Sequence, residues 1–113
     1  MINAILIDDE AHCLDSLSIL LNKFCPEVKI LERCLSAKQG LEATRKLKPD
    51  LVFLDVQMPV LDGFGVAAAL RADERTRELP FVFLSGELDP HITERGYAAG
   101  AAGFFAKPFD PAA

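Results

Sequence analysis

The chain is poor in several features, and each shortage removes a class of function. Basic residues are outnumbered: twelve Lys and Arg stand against seventeen Asp and Glu, for a net charge of -5 and a pI near 4.9. That balance argues against broad electrostatic binding to nucleic acid, and direct nucleic-acid binding is not expected. No apolar run is long enough to cross a membrane, and no basic-then-apolar leader opens the chain. Neither a membrane span nor a signal peptide is expected, and the expected setting is a reduced, cytoplasmic one. Only three cysteines occur, Cys13, Cys25 and Cys34, an odd number with no CxxC spacing. This argues against a disulfide framework or a zinc site, and each cysteine reads as a small, partly buried apolar side chain. Low-complexity tracts and internal domain boundaries are also missing. The 113 residues, half of them hydrophobic, fit one domain with a real core.

The stretch that organises the chain is Pro49-Asp50-Leu51-Val52-Phe53-Leu54-Asp55. Four apolar residues run straight into a carboxylate, and Pro59 and Asp62-Gly63 then mark a loop. A short, wholly apolar run bounded by turn signals predicts a strand buried on both faces, as in a parallel sheet. Asp55 is therefore expected at the strand's carboxyl end, where open α/β sheets place their ligand sites.

Around it, Asn3 to Ile7 forms a second apolar run that ends in Asp8-Asp9-Glu10. Leu14, Leu17, Leu21 and Phe24 recur at helical spacing, predicting a helix from about Glu10 to Phe24, stopped by Pro26. Asp9 and Glu10 would lie at its start, where the helix dipole favours negative charge. Val28 to Cys34 is a more polar strand suited to a sheet edge. Ser36-Ala37-Lys38-Gln39 has the form of a capping box and opens a helix to about Leu47. A short helix spans Gly63 to Arg71, and Asp73 to Glu78 reads as a surface connection. Leu79 to Leu84 is another apolar strand and runs into Ser85-Gly86-Glu87. Pro90 to Ala99 reads as a helix weakened by Gly96, and Phe104-Phe105-Ala106 as a last strand entering Lys107-Pro108. Asp110-Pro111 looks like an N-cap and first-turn proline. Strict alternation of strand and helix predicts five parallel strands in a three-layer sandwich.

Parallel strands present their carboxyl ends along one edge. Here those ends carry Asp8 and Asp9, Asp55, Ser85 and Lys107. Three carboxylates repel one another unless a cation joins them. Oxygen ligands with open water positions suit Mg²⁺, and Lys107 adds a compact positive charge for a phosphate oxygen. The set forms an electrostatic template for in-line phosphoryl transfer, with Asp55 as the covalent acceptor. Taken singly, each residue also has an ordinary reading: carboxylates as caps, Ser85 as a turn residue, Lys107 as a solvated lysine, Phe104 as edge packing. His12 and His91 read as surface imidazoles.

Ile7-Asp8-Asp9-Glu10, Leu54-Asp55-Val56-Gln57-Met58-Pro59, Asp62-Gly63, Leu84-Ser85-Gly86 and Lys107-Pro108-Phe109 together resemble the response-regulator receiver domain (CheY-like) of bacterial two-component signalling, over nearly the whole chain. The resemblance implies an α/β, flavodoxin-like fold with strand order 2-1-3-4-5. It implies that Asp55 takes phosphate from a sensor histidine kinase or a small acyl phosphate. It also implies that Asp9, Asp55 and the backbone carbonyl of Gln57 ligate Mg²⁺, with Asp8 acting mainly through a water. Lys107 would pair with the phosphate, Ser85 would move to hydrogen-bond it, and Gly86 would leave room for the donor. Gln57 and Glu87 fall where the family tunes the lifetime of the phosphorylated state. Phe104 falls at the switch aromatic, where many members carry tyrosine. Such a protein assists only its own phosphorylation and dephosphorylation.

The chain departs from the pattern by stopping where a fifth helix would begin. Residues 1–113 are thus expected to be a receiver domain truncated before that helix. An apolar patch is expected on the uncovered face, filled by a second copy or another neighbour. Two other classes were weighed. A phosphohydrolase of the haloacid-dehalogenase type wants a second acid two residues after the nucleophile, and Gln57 stands there. A receiver-fold binding module that is never phosphorylated remains the alternative.

Overall fold

The computed structural model describes residues 1–87 and 89–108. Five strands, β1 (Ile2–Ile7), β2 (Val28–Cys34), β3 (Leu51–Asp55), β4 (Phe81–Ser85) and β5 (Gly103–Ala106), alternate with four helices. These are α1 (Ala11–Phe24), α2 (Ala37–Leu47), α3 (Gly63–Ala72) and α4 (Pro90–Ala98). The sheet is parallel throughout, in the order β2-β1-β3-β4-β5, as the alternation predicts. The central strands are dry: Ala4 to Ile7, Val52, Leu54, Phe81, Phe83 and Leu84 are fully buried. β2 pairs only with β1 and keeps its polar residues at the sheet edge.

The helix starts follow local chemistry. Ser36 Oγ accepts from the Gln39 N–H at 3.2 Å, while the Gln39 amide oxygen accepts from the Leu35 N–H at 2.9 Å. This is a capping box displaced by one residue on its return arm. Asp62 and Asp89 cap α3 and α4 by accepting from Gly65 and Ile92, both at 2.9 Å. α1 opens with Asp9 and Glu10 at its start, as the charge pattern suggests. Glu10 holds its N-cap position without using its side chain, and Asp8 Oδ1 instead accepts from the Glu10 N–H at 2.9 Å.

Three details refine the sequence expectation, each with a physical reason. β4 begins at Phe81, two residues late, because Pro80 has no N–H for the ladder; its carbonyl accepts from Val52. The connection after α3 is anchored rather than loose. Thr76 is buried with its hydroxyl donating to the Leu70 carbonyl, and Arg71 donates to the carbonyls of Arg77, Leu79 and Gly100. Gly96 does not simply weaken α4. A Cβ there would lie 2.1 Å from Phe104 Cζ, so the glycine lets β5 pack against the helix. The expected cap at Asp110-Pro111, and Phe109, lie outside the described residues.

One sheet face is covered by α2, α3 and α4, the other by α1. Beside α1 runs an apolar groove of about 350 Å³ lined by Leu17, Leu20, Leu21, Phe24, Phe104 and Phe105 among others. Phe24 and Phe105 are 57% and 43% exposed there.

Candidate phosphoacceptor site

The carboxyl ends of β1, β3 and β4 meet the segment after β5 at one edge, because backbone hydrogen bonds hold them in register. Val56 N–H donates to the Leu84 carbonyl at 3.0 Å, and Lys107 N–H donates to the Ser85 carbonyl at 2.9 Å. Gly63 closes the loop after β3 by donating to the Val56 carbonyl at 2.8 Å. A Cβ at Gly63 would fall 2.3 Å from the Asp55 carbonyl oxygen. Only glycine lets the start of α3 come this near the acidic strand end.

Lys107 ties the site together. Its Nζ lies 2.7 Å from Asp8 Oδ2 and 3.1 Å from Asp55 Oδ1, with Glu10 Oε1 farther off at 3.7 Å. Asp8 and Asp55 are buried, and the lysine side chain is only 11% exposed. Burial first, then the charge of Asp8, pushes Asp55 up to about 7 against the pull of Lys107. Burial alone would depress the Lys107 ammonium. Its contact with Asp8 and the charge of Asp55 outweigh that, so it is held above the ordinary lysine value.

The oxygens of the acids are differently placed. Asp8 spends both, one on the Glu10 N–H and one on Lys107. Asp55 Oδ2 is buried and has no hydrogen-bond partner among the described residues. Asp9 is exposed and lines, with Asp55, Gln57, Gly86 and Lys107, a cleft of about 440 Å³. An orphaned buried carboxylate oxygen beside a second open carboxylate fits a hard divalent cation. Asp8, Asp9 and Glu10 also bring carboxylate oxygens within 4.8 Å of one another. Gln57 N–H points at Asp55 Oδ1 across a long 3.4 Å. A Cβ on Gly86 would meet nothing within 4 Å, so the cleft is open on that side.

Ser85 is at its expected strand end, but its hydroxyl is not on Asp55. It donates to the Glu87 carbonyl and accepts from the Glu87 N–H, both at 3.0 Å. Phe104 packs between Phe83 and Tyr97, at ring-centroid distances of 5.7 and 5.2 Å. Sequence reasoning overlooked Glu10, His12 and Cys13 at the mouth of the cleft. Read one at a time, they were a helix-start acid, a surface imidazole and a small buried thiol. His12 is indeed exposed, but it faces Glu10 Oε2 at 3.5 Å and Cys13 Sγ at 3.6 Å. Burial raises the Cys13 thiol above its ordinary value. The signal available was the run Glu10-Ala11-His12-Cys13 directly after the paired aspartates.

The response regulator receiver domain profile matches residues 4–113. Among curated proteins, the DNA-binding dual master transcriptional regulator RpaA of Synechocystis is 34% identical over 108 residues, covering 94% of this chain and 43% of that protein. A protein-glutamate methylesterase/protein-glutamine glutaminase of Methanosarcina acetivorans is 37% identical over 109 residues, covering 95% and 30%. The chain thus spans less than half the length of these relatives. Among solved structures, the chemotaxis protein CheY4 of Vibrio cholerae superposes with a TM-score of 0.86 at 28% identity, covering 98% of this chain and 90% of that one.

Proposed function

The chain belongs to the response regulator receiver domain family, and on that premise we propose that it is a phosphoryl-accepting switch with Asp55 as the acceptor. One observation carries this reading: Lys107 bridges the buried Asp8 and Asp55, while Asp55 Oδ2 keeps a free lone pair beside an open cleft.

In the proposed reaction, an Asp55 carboxylate oxygen attacks the phosphorus of a phosphohistidine on a sensor kinase, or of a small acyl phosphate. The new O–P bond forms as the donor's N–P or O–P bond breaks, and the leaving group departs in line. Asp9, Asp55 and the Gln57 carbonyl are the proposed Mg²⁺ ligands, with Asp8 acting through water because its own oxygens are spent. The bound ion would offset charge on the transferring phosphoryl oxygens. Lys107, freed from Asp55 Oδ1 as that carboxylate is esterified, pairs with a phosphoryl oxygen. Ser85 breaks from Glu87 to hydrogen-bond the phosphoryl group, and Phe104 follows as the switch ring. Phe104 lacks a hydroxyl, so its step relies on packing alone.

The chain is proposed to be no enzyme beyond assisting its own phosphorylation and hydrolysis, and to act in the cytoplasm. Among the described residues no helix is long and apolar enough to cross a membrane. The acidic balance supports a role without direct nucleic-acid contact. The apolar groove beside α1 is proposed to be covered by a second copy or another neighbour. A sedimentation profile of a stable monomer with high melting temperature would count against that.

The test is incubation with Mg²⁺ and acetyl phosphate, followed by intact mass. The expected result is one base-labile phosphate per chain, lost in Asp55→Asn and formed slowly in Lys107→Ala. Absence of label with acetyl phosphate and with a phosphorylated kinase would instead support an unphosphorylated binding module.

A further inference from the structure

The cleft holds a second set of donor atoms, at its mouth, that phosphoryl transfer to Asp55 does not use. Glu10 Oε2 lies 3.5 Å from His12 Nε2, which lies 3.6 Å from Cys13 Sγ. The three donor atoms fall within 4.8 Å of one another. Around a tetrahedral zinc ion, with Zn–N of about 2.0 Å and Zn–S of about 2.3 Å, neighbouring ligand atoms stand roughly 3.3–3.6 Å apart. Two edges of such a site are therefore already present. Sulfur, imidazole and carboxylate are the donors of a borderline-soft transition ion, whereas Mg²⁺ takes oxygen.

The cleft that these atoms border also holds the buried Asp55, whose Oδ2 has no hydrogen-bond partner among the described residues and belongs to the proposed magnesium ligands rather than to this set. Among the described residues, Asp8, Glu10 and Asp55 share one ammonium, Lys107, and Asp9 lines the same cleft. That excess of negative charge exceeds the roughly half-unit positive charge of the α1 N-terminus, which would otherwise oppose a cation. The cysteine spacing gives no hint of such a site, because only one of its ligands is a cysteine.

We propose that Glu10, His12 and Cys13 bind one zinc ion at the mouth of the phosphoacceptor cleft, with water in the fourth position, and that the bound ion blocks the donor's approach to Asp55. Zinc takes the place of the Cys13 thiol proton, which leaves to solvent, and His12 binds as the neutral imidazole. Phosphoryl transfer would then depend on zinc level as well as on a kinase. The metal site stands without the phosphoacceptor reading; the blocking effect rests on it.

The test uses the full chain titrated with Co²⁺, with a chelator present in a parallel titration with Zn²⁺. One equivalent of Co²⁺ should give a sulfur-to-cobalt charge-transfer band in the near ultraviolet, and Zn²⁺ should bleach it. The band should vanish in Cys13→Ser, persist in Cys25→Ser and Asp55→Asn, and need about tenfold more metal or higher still in His12→Ala. His12 is exposed, so this variant reports on binding even if Cys13→Ser folds poorly. A band that survives in Cys13→Ser would overturn the site. So would metal binding that is lost in Asp55→Asn yet unchanged in His12→Ala, since it would place the ion among the magnesium ligands. For the blocking effect, the ratio of acetyl-phosphate label without and with one equivalent of Zn²⁺ should be large in the parent chain and fall toward one in His12→Ala. Equal ratios in both would overturn the block. Absence of label in Mg²⁺ plus chelator would instead defeat the phosphoacceptor reading, and the cobalt band would still decide the metal site.

Discussion

The two faces of the sheet are built unequally. On one, Ile5, Ile7, Val52, Leu54, Phe81 and Phe83 are sealed under three helices, and aromatic contacts extend from Phe81 through Phe83 to Phe64 and Phe104. Arg95 lies 4.1 Å over the Phe64 ring and closes that face from α4. On the other, Ala4, Leu6, Phe53 and Leu84 meet α1 as the one helix among the described residues, and the sheet runs out into the groove where Phe105 is half open to solvent. The acidic site sits at the strand ends between these faces. The sealed face supplies a rigid floor for it. β5, which leads to Lys107, joins the two: Phe104 packs on the sealed face and Phe105 borders the groove.

The contrast can be broken by substitution. Phe83→Ala removes a fully buried ring from the sealed face and should cost about 3–5 kcal/mol in urea unfolding. A loss near 1 kcal/mol would mean that this face is not the floor. At the acidic edge, Asp55→Asn should instead stabilise the magnesium-free protein at neutral pH, on the order of 2 kcal/mol. Because the folded pKa of Asp55 is raised to about 7 from 3.8, its favourable contribution is complete below about pH 4 and is lost as pH rises toward 7. The melting-temperature gap between variant and parent should therefore open between those values and narrow when Mg²⁺ is added. Gly96→Ala drives a methyl into Phe104 and should cost about 1–3 kcal/mol. If α4 shifts freely to admit it, the cost will vanish and the two faces are more alike than drawn. Val60, fully exposed in the loop after β3, holds a left-handed φ of 71°, which costs a β-branched residue about 1–2 kcal/mol. Val60→Gly should raise stability by about 1 kcal/mol. Phe105→Ala, on the open face, should change stability by less than about 1 kcal/mol. A larger loss in a concentration-dependent melt would show that a second copy covers the groove.

Much of this was legible in the sequence because it is local. An apolar run ending in a polar residue marks both a buried strand and the edge where it emerges, and this happens three times, at Asp8, Asp55 and Ser85. The cap at Ser36 was readable for the same reason, whereas Asp62, which reads as a loop marker, caps α3 in the structure. The rest depends on contacts between distant residues or on the path of a turn. Ser85 engages Glu87 because of how the backbone bends after β4, which no residue type dictates. Gly96 looked like a weak point in a helix until Phe104, eight residues on, was seen to fill the space. Glu10, His12 and Cys13 meet at the cleft because the first turn of α1 brings all three side chains to its mouth. Phe105 packs on Phe53 at 5.8 Å on the face that α1 covers, yet stays 43% exposed at the edge of the groove.

The central claim is that one carboxylate, Asp55, carries the phosphoryl group. It is tested most directly by borohydride trapping of the chain after reaction with acetyl phosphate and Mg²⁺, followed by peptide sequencing. Reduction of an aspartyl phosphate leaves homoserine in its place. The account predicts homoserine at position 55 alone. Homoserine at position 8 or 9, or none at any position despite a labelled intact mass, would contradict it.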